Sequence, residues 1–140
     1  MIDYTFTLKD SGLVASNAAG TVGGFAKVAD VGNGLIDAEL VIDVSAIEIA
    51  SNDEIYSIAI QGSDTSDFTT GSPENEELAV LNLGAAEVLT GNQDSETGRY
   101  VLPFRNEKNG SVYPYLRVYT SVDGDVATGI NFTAHLQAKA

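Results

Sequence analysis

Four residues near the C-terminus have the types and the spacing of a protein-binding face: Tyr113, Tyr115, Arg117 and Tyr119. Successive side chains of an extended chain point to opposite faces, so these four are predicted to share one face of a strand, with Val112, Leu116 and Val118 on the other. Tyrosine and arginine are enriched at interfaces because they bury a large area and keep a polar tip satisfied. The competing interpretation is a face of the hydrophobic core from which the tyrosine hydroxyls reach the rim.

The acidic clusters are weaker candidates for chemistry. Asp123-Gly124-Asp125 resembles half of a calcium loop, but the further oxygen ligands at the required spacing are missing, so a turn is the preferred interpretation. Glu74, Glu76 and Glu77 form the densest acidic group, and a solvated loop explains them. Two carboxylates of a glycosidase meet in space rather than in sequence, so a pair among the 20 acidic residues stays open. We predict no metal-ligating residues.

Histidine, the usual general base near neutral pH, occurs once, at His135, and cysteine is absent. His135 is predicted to lie on the polar face of the last strand, exposed or hydrogen-bonded. The glycines at positions 20, 23, 24, 32 and 34 do not link a strand to a helix as a dinucleotide-binding loop requires, so turns explain them. The sequence therefore predicts a protein that is not an enzyme, with no catalytic and no cofactor-binding residues.

Alternation with period two recurs along the chain, whereas sustained helical periodicity does not. The predicted strands cover residues 2–8, 25–28, 36–44, 56–60, 100–104, 112–119 and 130–137. Asn33-Gly34 and Asn109-Gly110 are typical of hairpin turns. Pro103 places its strand at an edge or a bulge, because proline cannot donate to the ladder. Seven or eight short strands with regular turns predict an all-β, antiparallel β-sandwich or barrel that forms a single domain, residues 1–140.

Residues 73–83 are ambiguous. Ser72-Pro73-Glu74 has the composition of a helix N-terminus, with a capping serine and proline in the first turn. The apolar run from Leu78 to Leu83 could continue that helix or form a strand, and six residues do not decide between the two.

The charge of the chain limits its partners. The net charge is −13, which disfavours nucleic acid and anionic membranes as partners, and no apolar run approaches the length that spans a bilayer. The start of the chain lacks the pattern of a signal peptide. Residues 1–98 carry 17 acidic residues and two lysines, whereas residues 99–140 carry three acidic and five basic residues. Either the acids keep the protein soluble, or the C-terminal third faces an acidic or mixed partner surface.

The stretch from Glu54 to Gly84 combines a strand, Gly62-Ser63-Asp64, then Asp67-Phe68, and finally Leu81-Asn82-Leu83-Gly84. This order of parts resembles small cement (decoration) proteins of tailed bacteriophages, that of a Bordetella podovirus in particular, and the likeness covers about half of the chain. The resemblance implies a jelly-roll form of the sandwich. It also implies a structural protein on the virion, bound to the outside of the capsid and assembled in the host cytoplasm.

For such a protein the implied partner is the phage major capsid protein, and the implied role is to link neighbouring capsomers as a homodimer. Edge strands, the glycine-rich segment and the N-terminal strand are natural contact sites, because unpaired ladder groups accept another chain. The alternative is a carbohydrate-binding β-sandwich module in which Tyr115 and Tyr119 stack on sugars, although the chain has no tryptophan. A hydrolase with paired carboxylates has only the number of acidic residues in its favour.

Overall fold

The computed structural model describes residues 6–69, 75–85 and 94–138, and regular structure in these residues consists of β-strands joined by turns. The described part of the chain has no helix that is long and apolar enough to cross a membrane. The fourteen strand segments are β1 (Thr7–Lys9), β2 (Leu13–Val14), β3 (Ala18–Ala19), β4 (Thr21–Val22), β5 (Phe25–Ala26), β6 (Ala29–Asp30), β7 (Asp37–Ile47), β8 (Ile55–Ser63), β9 (Glu76–Gly84), β10 (Gly98–Arg105), β11 (Glu107–Lys108), β12 (Ser111–Val112), β13 (Tyr115–Asp123) and β14 (Ile130–Ala138).

Two antiparallel sheets contain most of these strands. Sheet A has the order β1-β14-β7-β10, with β2 also paired to β14, and sheet B has the order β3-β13-β8-β9, with β6 also paired to β13. β1 and β2 both pair with β14 and together fill one strand position, and β3 and β6 both pair with β13 and fill another. The ten segments of the two sheets therefore occupy eight strand positions. Numbered along the chain, these positions run 1-8-3-6 in sheet A and 2-7-4-5 in sheet B, the strand order of a jelly roll. The predicted antiparallel, jelly-roll-like sandwich is confirmed.

The core lies between the inner faces of the two sheets. In β7, Leu40 and Ile42 are fully buried while Asp37 and Ser45 are exposed, so the predicted alternation of residues 36–44 is confirmed. The inward faces predicted for residues 56–60, 100–104 and 130–137 are also present, and all contribute to one apolar cluster. Its fully buried members from the long strands are Leu40, Ile42, Tyr56, Ile58, Ile60, Leu116, Val118, Ile130, Phe132 and Ala134.

The ambiguous segment forms a strand where the structure describes it. Residues 76–84 pair with β8 as the edge of sheet B, so they continue a ladder rather than a helix, while residues 73 and 74 lie outside the described chain. Pro103 lies in β10, which pairs with β7 alone among the described strands. Its predicted position at an edge is therefore confirmed, because an edge strand leaves one side of its backbone unpaired.

Three strand predictions need correction at their bounds. The N-terminal strand is Thr7–Lys9, residues 2–5 lie outside the described chain, and Phe6 is 46% exposed. The strand expected at residues 25–28 is shorter, Phe25–Ala26, and forms a hairpin with β4. Residues 112–119 are divided at Pro114 into β12 and β13, since proline cannot donate a ladder hydrogen bond.

The two predicted hairpin turns have different outcomes. Asn109 and Gly110 both have positive φ, 54° and 85°, and join β11 to β12, as a two-residue hairpin turn requires. Asn33-Gly34 instead lies between β6 of sheet B and β7 of sheet A, so it connects the two sheets and is not a hairpin turn.

Candidate partner-binding face

The outer face of sheet B carries three of the four residues of the predicted stripe. Tyr115, Arg117 and Tyr119 alternate along β13 and are half-buried, whereas Leu116 and Val118 between them are completely buried in the core. This alternation assigns the three polar-tipped side chains to the surface and excludes the core interpretation for them. A partly exposed face of two tyrosines and one arginine has the composition of a protein-binding surface.

Tyr113 does not belong to this face, contrary to the prediction. Tyr113 is 3% exposed. Its Cβ occupies the space beside Gly62, 2.8 Å from where a Cβ on Gly62 would lie. Gly62 pairs with the core residue Leu116, so its side of the strand is the inner one. The break at Pro114 takes Tyr113 out of the strand register and turns it towards the interior. Burial is the main factor that raises the pKa of its phenol.

Arg117 is held in place from three directions. Its Nε donates a hydrogen bond of 2.8 Å to Oε1 of Gln61, the residue directly opposite on β8. The guanidinium carbon lies 4.4 Å from the centroid of the Phe68 ring and 5.3 Å from that of Tyr119. Cation–π contacts of this kind contribute about 0.5–1 kcal/mol each at exposed sites. These contacts hold the Arg117 side chain in one orientation.

Phe68 reaches Arg117 because of an unusual loop after β8. Its backbone has φ 58°, a left-handed conformation that is rare for a bulky residue and is found mainly where the surroundings enforce it. Asp67 braces the loop: its Oδ1 accepts hydrogen bonds from the Thr65 hydroxyl at 2.8 Å and from the Thr69 amide at 3.0 Å. The ring is 2% exposed. The loop thus folds back onto sheet B and covers one side of the guanidinium.

The other two arginines of the chain are neutralised within sheet A. Arg99 binds Asp43 at 2.7 Å and Arg105 binds Asp37 at 2.8 Å, each pair directly opposite across β10 and β7. These cross-strand pairs join the basic C-terminal third to the acidic first part of the chain. Of the three arginines, only Arg117 meets no described carboxylate within 4 Å.

His135 lies on the outer face of sheet A, opposite Val41 and Thr7, but it is only 6% exposed. The predicted face is correct, but the prediction that His135 is exposed is wrong, and burial lowers the pKa of the imidazole. It lines a hollow of about 450 Å³ that extends to Phe6 and Ala138.

The acidic groups are not arranged as a metal site in residues 6–69, 75–85 and 94–138, where no three His, Cys, Asp or Glu side chains gather around one point. Asp123 and Gly124 form a turn in which the aspartate Oδ1 accepts the glycine amide at 2.8 Å. Of the glutamate group, Glu76 binds Lys108 at 2.9 Å, Glu77 is exposed on β9, and Glu74 lies outside the described residues.

Two aromatic residues, Phe68 and Phe25, are not indicated by the sequence pattern. Neither the left-handed backbone of Phe68 nor its contact with Arg117 can be inferred from composition. Phe25 is 79% exposed beside the Gly23-Gly24 turn of the β4–β5 hairpin, the most exposed large apolar residue described. Two adjacent glycines with positive φ, followed by an aromatic residue, would have indicated such a hairpin tip.

The outer face of sheet B therefore combines a fixed cation, two tyrosines and the braced Phe68 loop on a rigid sheet. No protein-family model matches the chain, and no curated protein is similar enough in sequence to be matched.

Proposed function

We propose that the protein is a structural capsid cement protein, which binds the outer surface of an assembled phage shell and links neighbouring major-capsid-protein subunits, as a homodimer. The observation that carries the proposal is the preformed face of Tyr115, Arg117 and Tyr119 on sheet B, whose tyrosine and arginine side chains have the composition of a protein-binding surface.

The fold is a second line of support. The resemblance to phage cement proteins implies a jelly roll, and the strand order of the two sheets is that of a jelly roll. Jelly rolls recur in viral capsid and lectin domains, so the fold is compatible with both the proposal and its alternative, and fold alone does not establish function.

The proposed work is to stabilise the assembled shell. A protein that binds the assembled state and not the free subunits shifts the equilibrium towards assembly by mass action. Contacts of one copy or one dimer with several subunits would add through the high effective concentration of the second contact. The rigid sandwich suits this role, because a fixed face loses little conformational entropy on binding.

The alternative is a carbohydrate-binding module in which Tyr115 and Tyr119 form a stacking platform. Both side chains are half-buried and lie two positions apart from Arg117 on the same face. Arg117 between them restricts how a sugar ring could lie across both tyrosines, so we place this function second.

Co-sedimentation with empty podovirus shells that have been stripped of their own cement protein tests the proposal. We expect the wild-type protein to pellet with shells and to leave immobilised glycans unbound. The double variant Arg117→Ala, Tyr119→Ala should keep its circular dichroism spectrum and lose shell binding by a factor of about 100 or more, since interface anchors of these types cost about 2 kcal/mol or more each. Arg99→Ala, on the outer face of sheet A, is the matched control and should bind as the wild type does.

Two outcomes would contradict the proposal in different ways. Wild-type protein that binds glycans and never shells would replace the cement function with the carbohydrate-binding one. A folded double variant that still decorates shells at full occupancy would move the contacts away from sheet B, to the N-terminal strand or to the glycine-rich segment that carries Phe25.

A further inference from the structure

Arg117 differs from the other arginines in what faces it across the sheet. Arg99 and Arg105 each oppose an aspartate, whereas Arg117 opposes the amide of Gln61. Gln61 takes only the Nε hydrogen, at 2.8 Å. Within the described residues, neither Nη group of Arg117 donates a hydrogen bond, so the end of the guanidinium that matches a carboxylate is without a partner there.

The surroundings of Arg117 make it costly to leave its two Nη groups without a hydrogen-bond acceptor. The side chain is half-buried between the Phe68 and Tyr119 rings, and this burial lowers the pKa of the guanidinium. A cation withdrawn from water is stabilised by an anionic hydrogen-bond acceptor, and the planar fork of arginine suits a carboxylate with two parallel bonds. The rings and Gln61 have already fixed the direction of that fork.

We infer that the two Nη groups of Arg117 form a binding site for a carboxylate that a partner protein supplies. This inference rests on the proposed role of sheet B as the partner-binding face and names the chemistry that this face recognises. The Phe68 and Tyr119 rings lie against the guanidinium, so the open approach for a carboxylate is towards the two Nη groups. We assign the carboxylate to a different protein, the proposed shell subunit, because two copies of a chain with a net charge of −13 repel each other; a second copy is the alternative that sedimentation distinguishes.

Nitrogen-15 NMR of the arginine side chains tests the site without any shell. The chain has three arginines, so its Nε–Hε region contains three cross-peaks, assigned with the variants Arg99→Gln, Arg105→Gln and Arg117→Gln. Titration with sodium glutarate should shift the Arg117 peak to saturation, with a dissociation constant on the order of millimolar, and sodium chloride at equal ionic strength should not. The peaks of Arg99 and Arg105, already paired with aspartates, should stay in place.

An Arg117 peak that does not move, or that moves no more than the other two, would overturn the inference. A large shift of the Arg117 peak in Glu74→Gln without ligand would also overturn it, because it would show that a carboxylate of the same chain already accepts hydrogen bonds from Arg117. Neither result depends on capsid binding, so a failure here is distinct from wild-type protein that fails to pellet with shells.

Two measurements on wild type, Arg117→Lys and Arg117→Gln identify the source of the carboxylate. Sedimentation velocity measures self-association, and co-sedimentation measures shell binding. Lysine keeps the charge but lacks the two-donor fork. Self-association that weakens at least tenfold in both variants assigns the carboxylate to a second copy. Unchanged self-association with at least tenfold weaker shell binding in both variants assigns it to the capsid protein. Full self-association and full shell binding in both variants would overturn the inference.

Discussion

The ammonium group of Lys9 contacts both the ring and the carbonyl oxygen of Phe132, at 4.4 Å from the ring centroid and 2.7 Å from the oxygen. Two further carbonyl oxygens, of Asp10 and Gly12, accept from the same group at 3.0 Å. Lys9 is only 4% exposed, and burial lowers the pKa of its amine to about 8. One lysine thus joins the irregular segment between β1 and β2 to the bulge in β14, where the ladder shifts register between Asn131 and Phe132.

We therefore expect Lys9→Met to be destabilising although it adds an apolar side chain to a buried place. The Phe132 carbonyl would be left without its donor, and an unsatisfied buried acceptor costs about 1–3 kcal/mol. Lys108→Met is the control, because Lys108 is an exposed lysine paired with Glu76 and such pairs contribute about 1 kcal/mol or less. Urea denaturation of both variants measures the difference, and equal midpoints would show that the Lys9 contacts do not stabilise the fold.

Ile42 and Asp43 are neighbours in β7 with opposite surroundings. Ile42→Asp should destabilise the protein by about 4 kcal/mol or more, because it places an unpaired charge in the core. Asp43→Asn loses only the exposed pair with Arg99 and should cost less than about 1 kcal/mol. Thermal melting of the two variants is the measurement, and equal melting temperatures would refute the assigned faces of β7.

Glu48 provides a test by pH. Its carboxylate accepts hydrogen bonds from the backbone amides of Gly129, Thr128 and Ala127, and these bonds lower its pKa to about 2. A carboxyl whose pKa is lowered on folding stabilises the native state above its unfolded value of 4.5 and loses this contribution as the pH falls towards 2. Glu48→Gln should therefore melt below the wild type at pH 7. The two melting temperatures should converge near pH 2, and a constant difference from pH 7 to pH 2 would contradict the assignment.

Gly129 and Gly24 have nearly the same backbone conformation, φ 89° and 85°, in different surroundings. A Cβ at Gly129 would meet the carbonyl oxygen of Val14, whereas a Cβ at Gly24 would meet nothing within 4 Å. Gly24→Ala should cost roughly 1–2 kcal/mol for the left-handed conformation alone. Gly129→Ala should cost about 4 kcal/mol or more, because the backbone of β2 must also move. Equal unfolding free energies would mean that the β2 contact can relax.

The long strands could be predicted because their alternation is a local property. In β7, each apolar residue from Ala38 to Val44 on the even positions faces the core, and the polar residues between them face outwards. The same rule placed Arg117 and Tyr119 correctly on the outer face of sheet B. The rule fails for Tyr113. The alternation of residue types continues through Pro114, but the strand is interrupted there, so Tyr113 does not share the face of Tyr115.

The contacts that build the site depend on residues far apart in sequence. Gln61 meets Arg117 only through the pairing of β8 with β13, and Phe68 meets it only through a loop with a left-handed residue. The burial of Lys9 likewise cannot be predicted from the pattern. A lysine at the end of a short strand is expected to be exposed, and one of its three acceptor carbonyls belongs to Phe132, far away in the sequence. Strand register and loop conformation therefore could not be predicted from the sequence pattern.

The β4–β5 hairpin is inserted between β3 and β6, two segments that pair along the same strand, β13. Ala19 opposes Tyr119 and Ala29 opposes Leu116, so ten residues of chain cover a distance of three residues along β13. The excess forms the β4–β5 hairpin, which is hydrogen-bonded to Asp10 beside β1 through Thr21 and Gly23. At its Gly23-Gly24 tip, a Cβ added to either glycine would meet nothing within 4 Å. A foreign peptide inserted between these glycines would be carried outside both sheets. If the protein decorates a shell, this position offers one attachment point per bound copy, and the particle becomes a scaffold for displaying that peptide in many copies.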